Sequence, residues 1–156
     1  MKIFQKLISF YKREQFRPTV FGLLINPYYF ARKGLYKNMS ELTPNLHGKL
    51  LDVGCGKKPY KEICSVDDYV GIEVDRASDH NTRADFYYDG KILPFEDETF
   101  DSVLSNQVFE HVFNPEQFLK EVNRVLKPDG LFLVSVPFIW EEHEVPYDFI
   151  DILHMG

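Results

Sequence analysis

The chain has 156 residues, of which 44% are hydrophobic and 27% are charged, and its formal net charge is −6. This length is enough for a compact domain with a buried core, and the acidic balance argues against a broad phosphate-binding surface, so we expect no nucleic acid partner. No stretch approaches the roughly 18 apolar residues of a membrane span. Because MKIFQKLISF also lacks a small-residue cleavage site, we expect a cytoplasmic protein.

The first 44 residues predict an N-terminal helical arm. Residues 2–16 carry apolar side chains at helical spacing with basic residues between them, until Pro18 interrupts the pattern. A second helical stretch runs from about Thr19 to Met39, and Pro27 is expected to split or kink it. This arm is basic, and two interpretations stay open. It is either a packing arm or lid, or a foot that makes a peripheral contact with an anionic membrane or a lipid-linked substrate.

From residue 45 onward, short apolar runs alternate with turns and helical segments. The predicted strands are residues 49–53, 69–74, 83–87, 100–105 and 131–137. The segment PEQFLKEVNRVL predicts a helix that begins at Pro115, and the turn KPDG follows it. This alternation predicts an α/β domain over residues 45–156, a doubly wound and mostly parallel sheet with helices on both faces.

The stretch LLDVGCGKKPY, residues 50–60, is a buried strand that runs into a glycine turn. Ligands of open parallel sheets bind beyond the carboxyl ends of the strands, where this turn lies. Gly54 and Gly56 allow close approach of a ligand. Pro59, however, stands where a dinucleotide fingerprint has its third glycine, so a ligand without a pyrophosphate fits better.

An acidic residue ends the second predicted strand. Glu73 in GIEVD can accept hydrogen bonds from both hydroxyls of a ribose, which favours an adenosine ligand. Asp75 is a rival for this role, and a solvated strand end is the alternative interpretation of Glu73. Cys55 and Cys64 are expected to be free thiols, and no further zinc ligands stand near them, so we expect no metal.

The block DGKILPFEDETFDSVLSNQVFEHV, residues 89–112, resembles the class I S-adenosylmethionine-dependent methyltransferases that carry an LPF…FD…EH signature. The resemblance spans about residues 49–137 and includes LLDVGCG, GIEVD, EVNRVLKPDG and LFLVSVP in that order. It implies the Rossmann-like methyltransferase fold and S-adenosylmethionine as the cofactor. The segments GCGKKPY and HEVPYDF are similar to bacterial members from polysaccharide and glycolipid biosynthesis, which implies methyl transfer to a small-molecule, sugar or lipid-linked acceptor.

The resemblance also implies a role for each residue that matches a motif. The methionine part of the cofactor is expected to lie against the glycine turn, with its amino group near the preceding aspartate. The ribose would contact the acid that ends strand two, the adenine the turn before LPF, and the sulfonium the polar pair after strand four. In that order, these residues are Asp52, Gly54, Cys55 and Gly56; Glu73 and Val74; Asp89 and Gly90; and Asn106 and Gln107.

Transfer to a hydroxyl acceptor would need a general base. His111 after strand four and His143 after strand five are the candidates, because both are expected at the ligand side of the sheet and histidine titrates near neutral pH. The alternative for each is a structural or solvated histidine. The acidic residues around His143 indicate a loop rather than a metal site.

Only 19 residues follow Pro137, fewer than the helix and two strands that related folds add after strand five. The chain is therefore expected to be truncated at its C-terminus, with an open sheet edge that a homodimer would cover. Two other functions stay open. One is a cofactor-binding remnant without turnover, and the other is a nicotinamide-dependent oxidoreductase, against which Pro59 and the LPF…EH block count.

Overall fold

The computed structural model describes residues 2–75 and 82–137. The chain divides into two compact units, Met1–Pro44 and Asn45–Gly156. The first unit is helical, and its helices are α1 (Lys2–Phe16), α2 (Gly22–Ile25) and α3 (Tyr29–Leu42). The second predicted helix is thus split at Pro27, because proline lacks the N–H that a continuous helix needs, and its second part runs on to Leu42.

The second unit contains a five-stranded sheet in which every pair is parallel. Its strands are β1 (Lys49–Val53), β2 (Asp68–Val74), β3 (Phe86–Tyr88), β4 (Phe100–Asn106) and β5 (Leu126–Ser135), in the order β3-β2-β1-β4-β5. The strand order reverses between β1 and β4. This topology confirms the predicted doubly wound α/β fold and places the expected ligand site beyond the carboxyl ends of β1 and β4.

Two strands differ from their predicted bounds. β3 is shorter than predicted and lies three residues later at its start. β5 begins at Leu126 and includes KPDG, which the sequence predicts as a turn. The register explains this, because Phe100 pairs with Leu126 whereas Ser102 pairs with Leu131. The extra residues of β5 form a bulge in which Asp129 has a φ of 63°.

The core of the second unit lies between the sheet and helix α4 (Pro115–Val125). Asn114 begins this helix, since its side chain accepts a hydrogen bond from the backbone N–H of Gln117 at 3.1 Å. The fully buried residues that form the centre of the core come from the three central strands and from α4. They are Leu51, Val53, Ile72, Phe100, Val103, Val122 and Val125.

Arg124 of α4 fixes the LPF segment that precedes β4. Its guanidinium donates hydrogen bonds to the carbonyl oxygens of Leu93 at 2.9 Å and Phe95 at 2.8 Å, and to the carboxylates of Glu121 and Asp97. The LPF segment is thereby held against α4.

Across the two described stretches, we find no helix whose length and hydropathy would let it span a bilayer.

Candidate functional site

The glycine turn after β1 bends over the carboxyl end of β2. Gly54 and Gly56 have φ values of 73° and 49°, which favour glycine. The N–H groups of Gly54 and Cys55 both donate to the carbonyl oxygen of Ile72, at 2.9 and 3.2 Å. A Cβ on Gly54 would overlap Val108, whereas a Cβ on Gly56 would meet no atom within 4 Å. The turn is therefore closed beneath Gly54 and open beside Gly56.

The carboxylate of Glu73 is hydrogen-bonded to the glycine turn. Its Oε2 accepts a hydrogen bond from the N–H of Gly56 at 2.9 Å, and its Oε1 accepts one from Val74 at 3.3 Å. The carboxylate is half-buried and keeps acceptor capacity for further donors. Asp75, the rival at this strand end, is exposed, and its backbone N–H bonds to the carbonyl oxygen of Tyr88 at 2.8 Å.

Asp52 is a buried carboxyl group at the end of β1. Burial raises its pKa to about 7, and the nearby charge of Glu73 acts in the same direction. A hydrogen bond from the hydroxyl of Tyr69 and the charge of Lys58 lower the pKa in part. The side chain would therefore change its charge near neutral pH, and a cationic group close by would favour its ionised form.

Tyr69 is a site residue that the sequence analysis missed. The register pairs Leu50 with Tyr69 and Asp52 with Gly71, so Tyr69 lies on the same face of the sheet as Asp52. The alternation of strand residues carried this signal, because positions 69, 71 and 73 share a face. The ring of Tyr69 also lies 5.7 Å from the Nζ atom of Lys58 and 5.3 Å from that of Lys61.

Lys58 and Asp85 connect the glycine turn with β2. Lys58 has a φ of 55°, and its ammonium forms an ion pair with Asp85. The same carboxylate accepts the N–H of Gly71 at 2.7 Å, and the N–H of Arg83 bonds to the carbonyl oxygen of Gly56 at 2.7 Å. Burial acts against the Asp85 carboxylate, but these hydrogen bonds and the charge of Lys58 leave its pKa below the usual value.

The residues expected around an adenine lie beside the end of β2. A Cβ on Gly90, whose φ is 79°, would stand 3.6 Å from a methyl carbon of Val74. Asp89 caps the same turn, because its Oδ1 accepts hydrogen bonds from the backbone of Lys91 and Ile92 at 2.9 and 3.3 Å. Hydrogen bonds from these two N–H groups lower the pKa of Asp89.

Ser135 at the end of β5 connects Asn106 and Gln107, and no sequence pattern indicated this residue. Its hydroxyl donates to the Oδ1 of Asn106 at 2.7 Å, and its carbonyl oxygen accepts the N–H of Gln107 at 3.0 Å. Gln107 has a φ of 56°, an uncommon conformation for a residue other than glycine. Such strained residues concentrate at functional sites.

His111 lies in a single helical turn, residues 109–111, just after this pair. Its Nε2 is 4.0 Å from the Oε1 of Glu110, and its side chain is 14% exposed. His143, the other candidate base, lies outside the described residues. So does the acidic segment around it.

Both cysteines are free thiols whose pKa is raised mainly by burial, to about 12 for Cys55 and about 11 for Cys64. Among the residues that the structure describes, no three histidine, cysteine or acidic side chains come close enough together to hold a metal ion.

These features fit a nucleoside that carries an amino acid. The open side of Gly56 provides room, and Glu73 provides a carboxylate for ribose hydroxyls. Asp52 provides a buried partner for a cationic amino group. The fold and this site define the class I methyltransferases.

Comparison with known proteins gives the same class. Residues 51–134 match the family model described as a methyltransferase domain, and the chain belongs to this family. The predicted membership of the S-adenosylmethionine-dependent methyltransferases is thereby confirmed.

The chain is 30% identical over 128 residues to a protein of Mycolicibacterium smegmatis named "Probable S-adenosylmethionine-dependent methyltransferase", a match that covers 76% of this chain and 49% of the relative. The chain spans about half the length of the curated relatives it matches, or less.

Solved structures share the fold. A SAM-dependent methyltransferase from Aquifex aeolicus superimposes with a TM-score of 0.55 at 18% identity, covering 86% of this chain and 81% of that one. The [4+2]-cyclase SpnF superimposes with a TM-score of 0.53 at 28% identity, covering 65% of this chain and 44% of that one. The fold by itself therefore does not determine the reaction.

Proposed function

We propose that the chain binds S-adenosylmethionine at the carboxyl ends of β1, β2 and β4 and transfers its methyl group to a small-molecule, sugar or lipid-linked acceptor. The observation that carries this proposal is the hydrogen bond from the N–H of Gly56 to Glu73, together with the empty space that a Cβ on Gly56 would enter. This hydrogen bond connects the carboxylate that is expected to bind the ribose with the turn that is expected to bind the methionine part. Membership of the methyltransferase domain family supports the same reaction.

When bound, S-adenosylmethionine supplies a methyl group on a positively charged sulfur. The residues of this chain then have three tasks. Glu73 holds the ribose hydroxyls, and ionised Asp52 holds the cationic amino group. Asn106 and Gln107, both hydrogen-bonded to Ser135, would contact the sulfonium side of the cofactor, from which an acceptor must approach.

His111 is the described residue that we assign to proton removal from a hydroxyl acceptor. Its Nε2 would take the proton, and the neighbouring carboxylate of Glu110 would stabilise the imidazolium that forms. Such general base catalysis contributes typically about 10²–10⁴-fold to the rate. An acceptor that is already an anion would not need this step.

Calorimetric titration with S-adenosylmethionine and S-adenosylhomocysteine tests the cofactor assignment. We expect micromolar binding that weakens at least about tenfold in Glu73→Ala, which loses two charge-assisted hydrogen bonds. Asp75→Ala is the matched control, because it removes an exposed acid two residues further along, and it should bind like the unsubstituted chain. If only Asp75→Ala lost binding, Asp75 and not Glu73 would be the residue that binds the ribose. A folded chain that binds neither ligand would refute the proposal.

A second candidate is cofactor binding without methyl transfer, because a solved structure that shares the fold is named a cyclase and not a methyltransferase. The two are separated by release of S-adenosylhomocysteine in the presence of sugar, lipid-linked and small hydroxyl acceptors. Release with any acceptor supports methyl transfer, and tight binding without release under every condition supports the second candidate. Titration with NADH is a control for which we expect no heat.

A further inference from the structure

The connection between α1 and α3, together with the first turn of α3, exposes a run of large apolar side chains. We call this group the apolar tip. Its six members are between 53% and 85% exposed, and monomeric proteins rarely present so many in one place unless the patch has a partner. They are Val20, Phe21, Leu23, Leu24, Tyr28 and Phe30.

A buried carboxylate holds the backbone of this connection in place. Glu14 is 1% exposed, and its Oε2 accepts the N–H of Thr19 at 2.7 Å while its Oε1 accepts the Thr19 hydroxyl at 2.9 Å. The side chain of Asn26 donates to the carbonyl oxygen of Glu14 at 3.0 Å and accepts the N–H of Tyr28 at 2.9 Å. The apolar tip is therefore displayed by a hydrogen-bonded loop.

The exposed side chains point in several directions. Leu23 and Leu24 are neighbours in α2, and adjacent residues of a helix project roughly 100° apart. Both are more than half exposed, as are Val20 and Phe21 just before them. A folded partner covers one face of a helix, whereas a fluid medium surrounds a protruding turn. The arrangement therefore fits a lipid surface better than a protein groove.

The charges of the first unit complement an anionic surface. Residues 1–44 contain eight lysines and arginines and two acids, which leaves ten basic and 22 acidic residues for the rest of the chain. One acid, Glu14, is buried and lies 3.4 Å from Arg13, and the other, Glu41, lies 3.8 Å from Lys37. Five basic residues whose side chains the structure describes flank the apolar tip in the sequence. They are Lys12, Arg13, Arg17, Arg32 and Lys33.

Several of these cations lie against aromatic rings. The guanidinium of Arg13 is 5.1 Å from the ring centre of Phe10, and that of Arg32 is 5.4 Å from Phe16. Long basic side chains of this kind cover apolar surface with their stems while their charged ends stay in water. Next to an apolar protrusion, they would reach lipid headgroups as the protrusion enters the membrane.

We propose that the apolar tip inserts into the headgroup region of an anionic bilayer and that the flanking cations bind the headgroups. The first unit alone carries this inference, which does not rest on the proposed methyl transfer. A position at the membrane would suit a lipid-linked acceptor. The membrane contact is nevertheless tested independently of methyl transfer.

The test is co-sedimentation of the full chain with vesicles of phosphatidylglycerol and phosphatidylcholine, and with vesicles of phosphatidylcholine alone. We expect binding to the anionic vesicles that falls at least about tenfold in the double variant Phe21→Ser/Leu24→Ser. Arg32→Gln should weaken binding by about fivefold, since each cation near the surface contributes to attraction, and added salt should have the same effect. Circular dichroism confirms that each variant stays folded.

Phe113→Ser is the matched control, because Phe113 is 83% exposed and belongs to the second unit. It should bind vesicles like the unsubstituted chain. Absence of vesicle binding, or binding that the double variant leaves unchanged, would overturn the proposal. A concentration-dependent dimer in sedimentation velocity that the double variant abolishes would also overturn it, since the apolar tip would then cover a second copy of the chain.

Discussion

The hydroxyl of Tyr69 donates a hydrogen bond to the Oδ2 of Asp52, across neighbouring strands and on one face of the sheet. Asp52 is 5% exposed, and burial raises the pKa of its carboxyl group to about 7. The Tyr69 hydroxyl is a main source of polar stabilisation for this buried group. The pair therefore links the protonation of the candidate site to the stability of the domain.

We expect Asp52→Asn to stabilise the chain increasingly as the pH rises. The pKa of Asp52 is 3.8 without burial and about 7 in the folded chain, so the folded state binds more protons between these values. The free energy of unfolding of the unsubstituted chain therefore falls as the pH rises through this window, by up to about 4 kcal/mol. Urea unfolding of both chains measures this, and a difference that is independent of pH would contradict the burial of a titrating Asp52.

Cofactor affinity should rise with pH through the same range. Ionised Asp52 attracts the amino group of S-adenosylmethionine, and the ionised fraction grows roughly tenfold between about pH 6 and pH 8 for a pKa near 7. Titration calorimetry at several pH values should follow this increase. Asp52→Asn is the control and should show weak binding with a flat profile.

Tyr69→Phe should move this profile toward higher pH. In the unsubstituted chain, the hydrogen bond from the Tyr69 hydroxyl lowers the pKa of Asp52. Without this hydroxyl the carboxyl group is harder to ionise. We also expect a loss of about 1–3 kcal/mol in the free energy of unfolding at high pH, where a buried carboxylate is left with fewer donors. Tyr87→Phe removes a hydroxyl that bonds to Thr82 and not to Asp52, and it is the control that should leave the pH profile unchanged.

Gly54→Ala and Gly56→Ala should separate stability from binding. Both positions have positive φ, but a Cβ on Gly54 would overlap Val108, whereas a Cβ on Gly56 enters open space. We expect Gly54→Ala to lower the free energy of unfolding by roughly 2–4 kcal/mol, and Gly56→Ala by about 1–2 kcal/mol. Gly56→Ala should nevertheless weaken cofactor binding, because the open space is the proposed ligand volume. Recovery of stability in Gly54→Ala/Val108→Ala would verify the steric cause.

The two thiols should react slowly with iodoacetamide in the folded chain. Burial raises the pKa of Cys55 to about 12 and that of Cys64 to about 11, so almost no thiolate is present at neutral pH. Unfolding in urea should accelerate alkylation of both by at least about tenfold, since an unperturbed thiol has a pKa near 8.5. Mass spectrometry after timed quenching measures the two sites separately, and rapid modification of Cys55 in the folded chain would contradict its burial.

Much of the fold could be predicted because its signals are local. Short apolar runs predicted β1, β2 and β4, the glycine turn marked the end of β1, and Pro115 marked the start of α4. The bulge in β5 could not be predicted, because it depends on how Phe100 and Leu126 pair across the sheet. Sequence patterns predict periodicity but not the register between distant strands.

In the candidate site, too, residues with a local sequence signal could be predicted, and residues that depend on the pairing of distant strands could not. The glycine turn and Glu73 stand out in the sequence because their residue types are unusual at a strand end. Tyr69 and Ser135 look like ordinary strand residues, and only the pairing of neighbouring strands brings them to Asp52 and Asn106. Residues that support a site through long-range contacts leave little trace in a single sequence.

The reversal of strand order gives the sheet a seam between β1 and β4. Strands β1, β2 and β3 lie on one side of the seam, and strands β4 and β5 lie on the other. A ligand that contacts both Glu73 and Asn106 would bridge the seam and add its binding free energy to the cohesion of the two halves. The midpoint of thermal unfolding would then report the free ligand concentration, so the resistance of the protein to heat and proteolysis would vary with the methyl-donor supply around it.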